Sequence, residues 1–157
     1  MPCQAMHILL TYRCTDACRH CFVFGGPHQL ATFTMSRLET AISQIRRAAS
    51  VRWIYFEGGE PFLFFPLLLE AVRCAADRGF STAVVTNGYW ITSERDLGFT
   101  IRPLVAAGLK KLQISIDDLH RYRRLEHLKP QLLDMARRFR LTCQILGVEQ
   151  KATDDEP

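Results

Sequence analysis

The sequence predicts an α/β chain whose parallel strands alternate with helices in an open, partial barrel. Three observations carry this. Short runs rich in branched and aromatic residues alternate with longer stretches of helical apolar spacing. Five such strand runs are traced, each followed by enough chain for a helical crossover, except the last. The residues with unusual chemistry fall just after strand runs, where parallel strand–helix folds place their sites. Five strands are too few for a closed eight-stranded barrel, so the barrel is read as open.

In chain order, the first strand is expected over residues 7–12. A loop with Gly25-Gly26-Pro27 follows, and Ser36 with Glu39 three residues later forms a capping-box pattern. Leu38, Ile42, Ile45 and Ala49 then recur at helical spacing. The second strand is expected over 52–56, and a helix over 66–78 closes at Gly79. The third strand spans 81–86. Thr92 or Ser93 caps a helix that ends near Gly108, with Gly98 and Pro103 inside it. The fourth strand spans 111–116, and Pro130 opens a helix reaching Arg140. A fifth strand is read over 141–148, and 151–157 is a polar, acidic tail expected to be disordered.

The 157 residues suit one domain, read as a core over 1–150 plus that tail. Hydrophobic residues make up 48% of the chain, enough for a core. The net charge of +4 is spread along the sequence, so composition gives no argument for nucleic-acid or membrane binding, and neither partner is expected. No apolar run reaches the roughly 18 residues of a membrane span. No signal-peptide pattern opens the chain, so a reducing cytoplasmic setting is expected.

Six cysteines fit a reducing compartment poorly unless some hold metal. Cys3, Cys74 and Cys143 are scattered, and the last two read as small buried hydrophobes. Cys14, Cys18 and Cys21 form C-x3-C-x2-C after the first strand. Three thiolates on one short loop suit a cubane cluster, each on one iron, and the fourth iron stays open for a ligand. The alternative is a zinc site with His20 or His28 as the fourth ligand.

Three further clusters follow the next three strands. Glu57-Gly58-Gly59-Glu60-Pro61 combines two glycines that admit a close ligand with Glu60, an acceptor suited to an ammonium group. Thr86-Asn87-Gly88 reads as a polar turn, and Ser115 with Asp117 alternates along a strand end, suited to hydroxyl or ribose contacts. The basic run His120, Arg121, Arg123 and Arg124 reads as a solvated face or an acidic-substrate contact. Phe62, Phe64 and Phe65 read as core or a hydrophobic lid.

Cys14-Thr-Asp-Ala-Cys18-Arg-His-Cys21 resembles the signature of the radical S-adenosylmethionine (SAM) superfamily. Gly58-Gly59-Glu60-Pro61, Thr86-Asn87-Gly88 and Ser115-Ile-Asp117 resemble its later strand ends, in the same order. The resemblance covers about residues 8–148. It implies a 4Fe–4S cluster on Cys14, Cys18 and Cys21, whose open iron is chelated by SAM. It implies that Glu60 and the Gly58–Gly59 backbone hold the SAM amino group. The backbone near His20 would touch adenine, and Ser115 or Asp117, with Asn87 nearby, would face the ribose or carboxylate. The implied reaction is reductive cleavage of SAM to a 5′-deoxyadenosyl radical that takes hydrogen from a substrate. An electron donor such as flavodoxin or ferredoxin is implied as a partner.

His20, where the family often has an aromatic residue, resembles the branch that modifies peptides and proteins. The family core is a six-stranded partial barrel, so a chain with five strands and no extension is expected to be incomplete. Three other readings stand beside this one: a glycyl-radical-activating protein, a zinc-binding interaction module and an inactive fragment.

Overall fold

The structure, a computed structural model, describes residues 2–116 and 123–147. Its elements run β1 (Ala5–Thr11), α1 (Met35–Ile45), β2 (Trp53–Gly58), α2 (Phe65–Asp77), β3 (Ser81–Thr86), α3 (Glu94–Ala106), β4 (Leu109–Ser115), α4 (Lys129–Phe139) and β5 (Thr142–Leu146). The strands form one sheet in the order β1-β2-β3-β4-β5, and every neighbouring pair is parallel. When parallel strands follow one another in sequence order, right-handed crossovers put every helix on the same face. Successive helices accordingly pack on one another, α1 on α2, α2 on α3 and α3 on α4. This is the partial (β/α) barrel that the sequence predicts.

Side-chain alternation divides the two faces. Ile8, Phe56, Val84 and Leu112 lie in register across β1 to β4 and are buried. They meet Leu38 and Ile42 of α1, Leu68 and Val72 of α2, and Ile101 and Leu104 of α3 in one core. Each fully buried Leu or Ile contributes about 1.5–3 kcal/mol, which is why amphipathic stretches with so few helix-favouring caps still fold as helices. The opposite face carries a different row: His7, Tyr55, Ala83 and Lys111 lie in register there. Leu9 lies beside Glu57, one step nearer the carboxyl ends of the strands. No described helix covers this inner face.

Several boundaries move for local reasons. The first helix is capped by Thr34, whose side chain accepts from Arg37 N, so Ser36 lies inside the helix and the expected capping box is not used. Ala49 falls beyond the helix end at Ile45. The second strand runs on to Gly58, so Glu57 is a strand residue with a defined facing. A 3-10 turn, Pro61–Phe64, precedes α2 and is capped by Glu60. Ser93, rather than Thr92, caps α3 by accepting from Asp96 N. Arg140, at a left-handed φ of 51°, closes α4. The fourth and fifth strands are shorter at their far ends than expected, stopping at Ser115 and Leu146. Val148, Asp117, Asp118, His120, Arg121 and the tail at 151–157 lie outside the described residues, as do the side chains of Arg123 and Arg124.

Cys74 is buried in the helix-side core and Cys143 is half-buried beside it. Phe62 is buried and stacks on Trp90, with ring centroids 4.3 Å apart, so this part of the aromatic run is core.

Candidate active site

The five strand ends surround one cavity of about 300 Å³. The loop after β1 supplies Cys14, Asp16, Cys18, His20, Cys21, Phe22 and Val23. β2 supplies Glu57, Gly58 and Gly59, and β3 supplies Val85, Thr86 and Asn87. Ser115 comes from β4, and Leu146 with Gly147 from β5. A larger groove of about 1540 Å³ lies on the helical side around Phe62, Trp90 and Phe99, and no cysteine lines it.

The cysteine loop is folded by its own backbone. Cys14 N donates to Gly26 O at 3.1 Å and Gly26 N donates back to Tyr12 O at 3.1 Å. Cys21 N donates to Cys18 O at 3.1 Å, and Gly25 N donates to Cys21 Sγ at 3.3 Å. The three thiols are half-buried and unbridged. Burial pushes the Cys14 thiol up from its ordinary value, partly opposed by the Asp16 backbone hydrogen bond; nearby Glu60 and Asp16 push it further up. A cation or cluster iron beside Cys14 would remove that penalty.

The two glycines have a tighter reason than ligand access alone. A Cβ on Gly58 would sit 2.2 Å from Thr11 O, and one on Gly59 would sit 2.2 Å from Arg13 O. Gly58 also has a φ of 132°, a conformation that side chains rarely adopt. The close approach lets Gly59 N donate to Thr11 O at 2.6 Å and Glu60 N to Arg13 O at 2.8 Å. The end of β2 is thereby stitched to the stretch leading into Cys14.

Glu60 is placed differently from the expectation of a side chain that meets a ligand. It is fully buried and does not line the cavity. Its Oε1 accepts from Thr86 Oγ1 at 2.8 Å and Phe62 N at 3.1 Å, and its Oε2 accepts from Asn87 N at 2.8 Å. Desolvation raises its pKa to about 7 against the pull of these three donors. Asn87 in turn donates from Nδ2 to Thr15 Oγ1 at 2.9 Å and faces Cys14 Sγ at 3.6 Å. Its Oδ1 accepts from Tyr89 N at 3.0 Å. Glu60 thus acts on the cavity through Asn87.

The carboxylate that does line the cavity from β2 is Glu57. Alternation beside Phe56, which faces the core, sends Glu57 to the inner face, a signal the motif GGEP obscures. Asp16, a buried residue of the cysteine loop, was also passed over in the sequence reading. His20 and Ser115 line the cavity, His28 is exposed outside it, and Asp117 lies outside the described residues. Among the described residues, no Lys or Arg lines the cavity.

The sequence matches the radical SAM superfamily over residues 8–140. The chain belongs to that superfamily, a family of enzymes. It is 32% identical over 116 residues to the PqqA peptide cyclase of Ruegeria pomeroyi, covering 71% of this chain and 28% of that protein. It is 31% identical over 130 residues to the GTP 3′,8-cyclase of Acidothermus cellulolyticus, covering 76% of this chain and 33% of that protein. The chain therefore spans about a third of the length of these curated relatives. Among solved structures, BtrN in complex with AdoMet and 2-DOIA superposes with a TM-score of 0.63 at 17% identity, over 92% of this chain and 56% of that one. That likeness shows a shared fold. No described helix is long and apolar enough to cross a membrane.

Proposed function

We propose that this radical SAM chain binds a 4Fe–4S cluster on Cys14, Cys18 and Cys21 and cleaves SAM reductively in the cavity they line. The observation that carries the reading is the meeting of three thiols and all five strand ends in one cavity, with no Lys or Arg in its wall among the described residues. SAM carries a sulfonium and an ammonium against one carboxylate, so a wall of thiols and carboxylates suits it. The donor set fits the cluster, because thiolates are the ligands that Fe–S clusters take. When bound, the cluster supplies one electron to the sulfonium and the open iron for chelation.

The chain's residues supply position. The Gly58–Gly59 backbone offers polar groups to the methionine end. Asn87 and Ser115 face the cavity with amide and hydroxyl groups, and Asp117 joins them by family resemblance. The loop around His20 covers the adenine side. Phe22, Val23, Val85 and Leu146 supply the apolar wall that keeps water from a reactive radical. Glu60 is the buried brace that fixes Asn87. A peptide or protein substrate is supported by the likeness to a peptide cyclase. The one-electron donor would be a flavodoxin or ferredoxin.

The test is anaerobic reconstitution followed by metal and sulfide analysis. About four irons and four sulfides per chain are expected. Cys14→Ala, Cys18→Ala and Cys21→Ala lose the visible absorbance, while Cys74→Ala and Cys143→Ala keep it. Zinc without sulfide would overturn the reading in favour of a zinc site.

A further inference from the structure

The outer side of the cysteine loop carries side chains that neither the core nor the cavity uses. Among the described residues, seven large hydrophobic side chains are exposed, and four of them, Tyr12, Phe22, Phe24 and Leu30, belong to this one loop. Phe22, Phe24 and Leu30 are each 81% exposed. Phe22 stands at the cavity mouth, while Phe24 and Leu30 do not line the cavity. Apolar side chains gathered on one stretch of surface mark a contact with another molecule.

Phe24 is held outward at a cost. Its φ of 52° lies in the left-handed region, which favours glycine and which bulky side chains rarely adopt. The loop enforces that angle from both sides. Phe24 N donates to Cys21 O at 3.2 Å, Gly25 N donates to Cys21 Sγ at 3.3 Å, and Gln29 Nε2 donates to Phe24 O at 3.1 Å. Val23 is buried and lines the cavity, and the next residue, Phe24, is turned to solvent.

The same surface is basic. Residues 1–38 contain one acidic residue, Asp16, and it is buried. Arg13 and Arg19 are exposed, one next to Cys14 in sequence and the other next to Cys18. Apolar side chains among charges of one sign suit a transient partner of the opposite charge, which the field steers in.

The thiols identify that partner. With SAM and substrate on the cavity side of the loop, as proposed above, an electron enters from the other side. We propose that Phe24 and Leu30, with Arg13 and Arg19, form the docking surface for an acidic one-electron donor protein. One electron passes from the donor to the cluster, and no bond is made or broken. The inference rests on the cluster reading for the electron but not for the docking, which is measured separately.

An acidic flavodoxin is the probe, and the variants are Phe24→Gly and the double change Arg13→Gln with Arg19→Gln. Glycine suits the φ at position 24, so the first variant removes the ring and keeps the loop. Thermal denaturation and cluster absorbance check that all three proteins are equally folded and loaded. Calorimetry reads the affinity of oxidised flavodoxin for the cluster-free chain. Freeze-quench paramagnetic resonance reads the rate at which reduced flavodoxin, or dithionite, reduces the cluster. Dithionite is small and needs no docking surface. Each variant should weaken flavodoxin binding about tenfold and slow its electron transfer by a similar factor, with the dithionite rate within about threefold. The arginine variant should also lose the steep fall of the wild-type flavodoxin rate with salt.

Flavodoxin binding and reduction unchanged in both variants overturn the proposal, as does a wild-type chain that does not bind flavodoxin. Equal slowing with dithionite also overturns it, because the side chains then act on the cluster itself. If Phe24→Gly instead abolishes self-association in light scattering and leaves flavodoxin binding intact, the surface belongs to a second copy of the chain. A wild-type chain that holds no iron and sulfide, yet binds flavodoxin more tightly than the variants do, sinks the cluster reading and leaves the docking surface standing.

Discussion

Glu60 Oε2 accepts the backbone N–H of Asn87 at 2.8 Å, so one buried carboxylate joins the end of β2 to the end of β3. The same carboxylate takes Thr86 Oγ1 and Phe62 N, and Thr86 Oγ1 accepts from Gly88 N and Trp90 Nε1. The turn that carries Asn87 is thus fixed from beneath, which leaves the Asn87 side chain free to face Thr15 and Cys14.

Glu60→Ala is expected to destabilise the chain by about 3–5 kcal/mol, because three donors lose their buried acceptor at about 1–3 kcal/mol each, with partial relaxation. Denaturant unfolding measures this. The ionisation has its own signature. With a folded pKa raised to about 7 from 4.5, Glu60 takes up a proton on folding. Its contribution to stability is greatest below 4.5 and is lost as the pH rises through about 7. The span corresponds to about 3 kcal/mol. Glu60→Gln should flatten the slope of stability against pH in that window, and an unchanged slope would show that Glu60 does not titrate there.

Gly59→Ala is expected to cost about 2–4 kcal/mol and to impair cluster assembly together with stability. The new methyl group would meet Arg13 O at 2.2 Å, and backbone cannot give way there without breaking the Glu60 N to Arg13 O bond. Gly98→Ala is the control, since nothing lies within 4 Å of its added Cβ and it sits inside α3. A Gly59 variant as stable as the Gly98 variant would refute the steric account.

The alternation of β2 and β3 and the identity of each strand end were legible because period-two and helical patterns are local. That is why the thiols, Gly58, Gly59, Asn87 and Ser115 fall where the motif order puts them. Glu60 was harder, because its direction depends on a turn that starts only when Gly58 and Gly59 pack on the backbone of Thr11 and Arg13. A carboxylate beside two glycines reads as a ligand contact from sequence, yet here it caps Phe62 N and faces inward. Glu57 was legible in principle, since strand alternation places it opposite Phe56, but it required knowing that β2 extends to Gly58.

The thiols are expected to differ in the cluster-free protein. Cys14 is half-buried and its pKa is raised by desolvation, so little thiolate is present at about pH 8. Cys74 is buried and also raised. Cys3 is exposed. Brief alkylation with iodoacetamide, read by peptide mass spectrometry, should label Cys3 first, Cys14 much more slowly and Cys74 last. Raising the pH should accelerate Cys14 more than dilution or salt does. Labelling of Cys14 as fast as Cys3 at about pH 8 would contradict the burial that the cavity geometry gives it.

The sheet leaves one further consequence at β5. Among the described residues this strand pairs only with β4, from Lys111↔Thr142 to Ser115↔Leu146. An edge strand presents unpaired N–H and C=O groups, and charges usually protect such edges from pairing with another chain. β5 carries Thr142, Cys143, Gln144, Ile145 and Leu146, with no charged residue among them. Ile145 is 36% exposed, which adds apolar surface to the open hydrogen bonds. The chain is therefore expected to self-associate as its concentration rises. Ile145→Lys should suppress this, because a lysine on the edge strands a charge in any added strand pair. The cost in stability should stay near 1 kcal/mol, since cross-strand pairs such as Ile114 with Ile145 contribute about 0.2–1 kcal/mol. Light scattering across a concentration series measures both proteins. If the wild-type chain stays monomeric throughout, the β5 edge is already protected and the exposed Ile145 has no bearing on association.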